Sequence, residues 1–135
     1  MGKTAFALNV AAHVCFDQNL PIGFISLEMS ADQLAERLLS LRTQVSGEKI
    51  KRGTLSKEEL SKLEEAEQLL RKAPFFIHDT AFSTVYQVTA AAKRLKDENN
   101  IQLLVIDYLQ LLGTIGSENR QNEVAEVSRS LKKLA

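Results

Sequence analysis

Three short apolar runs, separated by segments of helical period, constrain this chain more than any other feature. Residues 21–27 read Pro-Ile-Gly-Phe-Ile-Ser-Leu and end on Glu28; residues 75–79 read Phe-Phe-Ile-His-Asp; Leu103-Leu104-Val105-Ile106 runs into Asp107 within an apolar stretch over 101–112. Each run is short for a helix and too continuously apolar for a strand with one wet face. They read as strands, the run that opens at Pro21 as a buried one. Strands that alternate with helices predict an α/β fold, a parallel sheet with helices packed on it.

The helical segments carry their own start signals. Residues 3–18 have apolar residues at Phe6, Val10, Ala11 and Val14, bounded by Gly2 and by the Asn19-Leu20-Pro21 break. Ser30-x-x-Gln33 is a capping box that opens a second helix, with Leu34, Leu38 and Leu41 as its stripe. Residues 45–54 lack periodicity and read as an exposed loop with room for a helical turn. Ser56-x-x-Glu59 opens an amphipathic helix with Leu60, Leu63, Ala66, Leu69 and Leu70 inward, and Pro74 stops it. Thr84-x-x-Gln87 opens another, with Val85, Val88, Ala92 and Leu95 on one face. Residues 113–119 read as a polar loop. Residues 121–135 return to helical spacing at Val124, Val127, Leu131 and Leu134.

Composition narrows the function classes. The chain has 135 residues and a formal net charge of zero, which fits one ordinary domain and excludes a strongly basic one. A local basic patch for DNA remains open. Arg120, Arg129, Lys132 and Lys133 lie off the last apolar stripe, but Glu118, Glu123 and Glu126 interleave with them, as on a solvated helix face. No apolar run approaches a membrane span, and no secretory signal precedes the first polar residues. The lone cysteine, Cys15, has no internal disulfide partner and reads as a small core residue; a reducing cytoplasm is the expected compartment. His13 and His78 lack the partner spacing of a metal site.

Gly2-Lys3-Thr4 matches the end of the phosphate-binding loop G-x-x-x-x-G-K-[ST]. In that motif backbone N–H groups cradle phosphates, the Lys adds a point charge and the hydroxyl holds Mg²⁺. Lys3 and Thr4 open a helix, where the dipole favours anions. Asp107 ends a buried strand, the position from which one carboxylate reaches the metal of a P-loop ATPase. Glu28 ends a neighbouring strand, placed to polarise water as a general base. Gly-Lys-Thr alone also fits an ordinary helix start, and an acid at a strand end is often a turn residue. The three signals in this order favour a nucleotide site.

Taken with the flanking residues, these motifs resemble a family. Met1-Gly-Lys-Thr-Ala-Phe-Ala-Leu-Asn, Phe24-Ile-Ser-Leu-Glu-Met-Ser, Val105-Ile-Asp-Tyr-Leu-Gln-Leu, Glu118-Asn-Arg-Gln-Asn-Glu-Val and Ser128-Arg-Ser-Leu-Lys-Lys-Leu-Ala are similar to the C-terminal ATPase domain of DnaB-type replicative DNA helicases. The resemblance implies a RecA-like P-loop NTPase core, a homo-hexameric ring, and 5′→3′ unwinding of duplex DNA driven by ATP hydrolysis. It implies ATP and Mg²⁺ as cofactors, with Gly2, Lys3 and Thr4 at the nucleotide, Thr4 and Asp107 at the metal, and Glu28 as catalytic base. Asn119 and Arg120 become candidates for DNA or subunit contact. Single-stranded DNA, a primase and a helicase loader are the implied partners.

Measured against that family, residues 1–135 are expected to be a partial ATPase domain, lacking the P-loop strand, the later strands and the trans-acting arginine. Weak or absent turnover by the chain alone is the matching expectation. Two other readings stay open at this stage: a RecA/KaiC-like ATPase that does not unwind DNA, and a non-catalytic interaction module.

Overall fold

The computed structural model describes residues 2–79, 84–107 and 120–135. Helix α1 spans Lys3–Ala12 and runs on as a π-wound turn over His13–Asp17, in which Gln18 N–H donates to His13 O at 3.4 Å. Strand β1 (Ile22–Ser26) follows, then α2 (Ala31–Thr43), α3 (Gly47–Arg52), α4 (Lys57–Lys72), β2 (Phe75–His78), α5 (Val85–Asn99), β3 (Leu103–Asp107) and α6 (Arg120–Leu134).

The three strands form one parallel sheet in the order β2-β1-β3. The central strand is the one whose run opens at Pro21, and all five of its residues are buried. Ile22 stands opposite Phe75 on one side and Leu103 on the other, and Ser26 stands opposite Asp107.

Strand alternation divides the core into two layers. On one face Ile22 and Phe24 pack with Leu8, Ala11 and Cys15 of the first helix and with Leu34 and Leu38 of α2. On the other, Ile25 packs with Val88, Ala91, Ala92 and Leu95 of α5 and with Ile101, and Leu131 of α6 joins them half-buried. Gly23 faces the second layer. A Cβ there would lie 2.9 Å from Ile101 Cδ1 and 3.1 Å from Leu95 Cδ1, so α5 sits close on β1 because that residue has no side chain.

The three capping boxes form as read: Ser30 with Gln33, Ser56 with Glu59 and Thr84 with Gln87. Each such cap is worth about 1 kcal/mol. Ser46 caps α3, so the predicted loop over 45–54 contains a short helix.

The inward faces differ from the sequence reading in three helices. In α1 the buried residues are Leu8 and Ala11, continued by Cys15, whereas Phe6 is 72% exposed and Val10 is exposed too. Both sets have helical spacing, and two residues of offset turn a helix by more than half a revolution, so periodicity alone does not choose between them. Leu41 of α2 and Leu60 and Leu69 of α4 also lie exposed, beside buried Leu38, Leu63 and Ala66. The buried stripe is narrower than the apolar one. Cys15 is a core residue, as expected. The predicted loop over 113–119 and the end of the apolar stretch over 108–112 lie outside the described residues.

Candidate functional site

Short connections set the geometry of the site. Only residues 18–21 join the end of the first helix to the start of β1, so that helix runs back along the sheet. Its N-terminus therefore lies at the edge where the parallel strands end, and α1 packs against β3. In a parallel α/β sheet this is the edge at which ligands bind.

Gly2 is the N-cap of α1, with φ 85° in the left-handed region that glycine adopts without steric cost. It brings no side-chain oxygen to the first turn, and nothing lies within 4 Å of where a Cβ would stand. An open helix start whose cap carries no competing acceptor suits an anion. Lys3 is exposed and Thr4 half-buried within that first turn.

Asp107 closes β3. Alternation places it on the same face as Leu103 and Val105, the face that α1 covers. The residue is 5% exposed, and among the described residues its buried Oδ2 has no hydrogen-bond donor. Buried carboxylate oxygens are ordinarily satisfied, so this atom calls for a cation or a donor supplied by a ligand. No group of three or more His, Cys, Asp or Glu stands ready to hold a metal among the described residues. A lone buried carboxylate oxygen at this edge could serve an ion such as Mg²⁺, which typically takes one or two protein oxygens and completes its shell with water and substrate phosphates.

Glu28 lies exposed in the turn between β1 and α2. Leu27 N–H donates to Asp107 O at 2.8 Å, and Met29 N–H donates to Ser26 Oγ at 3.0 Å. Ala31 N–H, at the first turn of α2, donates to Asp79 Oδ2 at 2.7 Å. Ser30 and Gln33 close their reciprocal pair at 3.1 and 3.3 Å. The turn is thus tied to its own strand, to β3 and to the segment after β2.

The fold therefore brings Gly2, Lys3 and Thr4 to the same sheet edge as Glu28 and Asp107. Asn119 lies outside the described residues. Arg120 begins α6, and its side chain is outside them too. His78 ends β2 at the site edge, half-buried. Sequence reasoning passed over Ser26 and gave Asp79, beside His78, no role of its own; an acid one residue past a strand is a faint signal, and only the hydrogen bond from Ala31 N–H shows that it meets α2.

A family model described as the DnaB-like helicase C terminal domain matches residues 1–135. A probable plasmid replicative DNA helicase of Chlamydia psittaci is 45% identical over 136 residues, covering 100% of this chain and 30% of the relative. The replicative DNA helicase DnaB of Geobacillus stearothermophilus is 44% identical over 137 residues, with the same coverage of 100% and 30%. The chain thus spans 30% of the length of these curated relatives. A solved DnaB-like replicative helicase, described with its interactions with primase, superimposes with a TM-score of 0.85 at 32% identity over 99% of this chain and 34% of its own. The parallel sheet with its flanking helices is the RecA-like ATPase fold of these helicases. Matched over its whole length and sharing that fold, the chain belongs to the DnaB-like helicase C-terminal domain family.

Proposed function

We propose that the protein carrying this chain couples ATP hydrolysis to 5′→3′ unwinding of duplex DNA in replication, and that these residues form part of its nucleotide-hydrolysing domain. The observation that carries the reading is Asp107, whose buried Oδ2 has no donor among the described residues and lies at the sheet edge to which the N-terminus of α1 is directed.

In this reading the backbone N–H groups of the Gly2–Thr4 turn and the Lys3 ammonium bind phosphate oxygens. The Thr4 hydroxyl and the Asp107 carboxylate would hold Mg²⁺. When bound, that ion neutralises charge on the phosphate oxygens. The Glu28 carboxylate orients the attacking water and accepts its proton. The Leu27–Asp107 bond keeps the base and the metal-holding acid in fixed relation.

The partners in this reading are single-stranded DNA, further copies of the same protein in a hexamer, a primase and a loader. Support for the primase is the solved DnaB-like helicase described with its primase interactions. Asn119 and Arg120 are the proposed DNA or subunit contacts. The compartment in this reading is the cytoplasm, where a replicative helicase meets its DNA. No helix among the described residues is long and apolar enough to cross a membrane.

The test is Glu28→Gln in the protein carrying this sequence, with nucleotide binding, hydrolysis and displacement of a strand from a forked duplex measured together. Binding should persist while hydrolysis and unwinding fall by roughly 10²–10⁴-fold, the usual contribution of a general base. Unchanged hydrolysis would remove Glu28 from its role, and a wild-type protein that binds no nucleotide would remove the whole reading.

A further inference from the structure

We infer that Asp79 is a positioning residue for Glu28. The inference rests on the reading of Glu28 as the general base. Asp79 stands one residue beyond β2, and its Oδ2 accepts from Ala31 N–H at 2.7 Å across 48 residues of sequence. Ala31 is the first residue of α2, so a carboxylate here satisfies one of the orphan donors of the first turn and sits where the helix dipole favours negative charge. Ser30 already serves Gln33 N–H, which leaves the Ala31 donor to another partner.

What that bond holds is the short arc between Ser26 and Ala31, with Glu28 at its middle. One end is fixed to β1 by Met29 N–H on Ser26 Oγ and to β3 by Leu27 N–H on Asp107 O. The other end meets only the Asp79 carboxylate from outside its own helix in the bonds described. Glu28 itself is exposed, while its neighbours Leu27 and Met29 pack partly buried against the two core layers. The position of Glu28 therefore follows from the anchors on either side. Losing the Asp79 anchor frees the start of α2 and with it the approach of Glu28 to the water it activates. A general base depends steeply on such placement.

The measurement is a mutant cycle on nucleotide hydrolysis in the protein carrying this sequence: wild type, Asp79→Ala, Glu28→Gln and the double variant, with Asp79→Asn alongside. Asp79→Ala should lower kcat by about tenfold to a hundredfold, the scale of a small misplacement of a catalytic group, and leave KM for the nucleotide within about twofold. Asp79→Asn keeps an acceptor oxygen and should recover most of the rate. In the Glu28→Gln background the Asp79→Ala change should add almost nothing, because both act through one group.

An Asp79→Ala effect that persists in full in the Glu28→Gln background would overturn the inference, as would wild-type kcat in Asp79→Ala. Should Asp79→Ala fail to fold, a near-wild-type rate in Asp79→Asn supports the acceptor role, and a tenfold or greater loss of kcat in a folded Asp79→Asn overturns it. Loss of the Glu28 reading is seen separately, as undiminished hydrolysis by Glu28→Gln alone.

Discussion

The backbone N–H of Leu27 donates to the carbonyl oxygen of Asp107 at 2.8 Å, so one hydrogen bond joins the turn that carries Glu28 to the residue whose buried carboxylate oxygen has no donor among the described residues. The link is made by backbone. It survives substitution of either side chain, which lets the two carboxylates be tested independently without losing the ladder that aligns them.

For Asp107 this separates stability from activity. Truncation to Ala keeps the backbone bond and the Cβ and removes a buried acceptor that no described residue satisfies. An unsatisfied buried polar group costs about 1–3 kcal/mol, so its removal offsets the small loss of packing. Asp107→Ala should melt no lower than the wild type, by calorimetry without nucleotide. Its hydrolysis should fall by roughly 10²-fold or more, the scale of losing one electrostatic contact to the reacting group. A variant that is both less stable and fully active would contradict both halves.

Lys3 sits in the first turn of α1, behind a cap that brings no side-chain oxygen. A charge-assisted hydrogen bond from its ammonium to phosphate is worth about 1.5–3 kcal/mol. Lys3→Ala should therefore weaken nucleotide binding by about 10- to 150-fold by equilibrium titration. Lys3 is exposed on the surface, and the melting temperature without nucleotide should hardly move. An affinity unchanged by Lys3→Ala would detach the first turn of α1 from the phosphates.

The sequence carried the sheet because its three apolar runs have no other stable use, and it carried three helix starts because Ser30, Ser56 and Thr84 each have their partner three residues on. It misplaced parts of the faces of α1, α2 and α4, where apolar residues outnumber the positions that meet the core. Leu60 and Leu69 obey the same period as Leu63 and Leu70, and only packing separates them. At the candidate site, the positions of Glu28 and Asp107 at or just past strand ends were legible because an acid that ends an apolar run interrupts a pattern. Asp79 was not, since its role depends on a contact with Ala31 that no local pattern encodes.

The start of α4 makes an acid-sensitive contact. Lys49 Nζ lies 2.7 Å from Glu59 Oε1, while Glu59 Oε2 accepts from Ser56 N–H at 3.0 Å. The Lys49 bond first, and the Ser56 N–H next, hold the Glu59 carboxyl below its ordinary value of 4.5. A folded-state value below the unfolded one means stabilisation that is present above 4.5 and lost as pH falls through the folded value. Glu59→Gln keeps an acceptor for the cap and loses the charge. Its deficit in urea midpoint relative to wild type should be visible near about pH 6 and should shrink toward about pH 3. A deficit that stays constant over that range would assign the effect to packing.

Cys15 offers the opposite sign on the alkaline side. It is 1% exposed between α1 and the sheet, and burial raises its thiol above the ordinary value of 9.0. The folded state therefore keeps its proton where the unfolded state has lost it. The thiol's contribution is complete below 9.0 and declines as pH rises through the folded value. Cys15→Ala removes that dependence, so its stability should fall less steeply than the wild type's above about pH 9. The same burial makes the sulfur slow toward a water-soluble disulfide reagent, because the reacting species is the exposed thiolate. Modification of the folded protein should proceed only as fast as local or global opening and should accelerate sharply in denaturant. Rapid stoichiometric labelling in native buffer would place Cys15 outside the core that Leu8, Ala11 and Phe24 build around it.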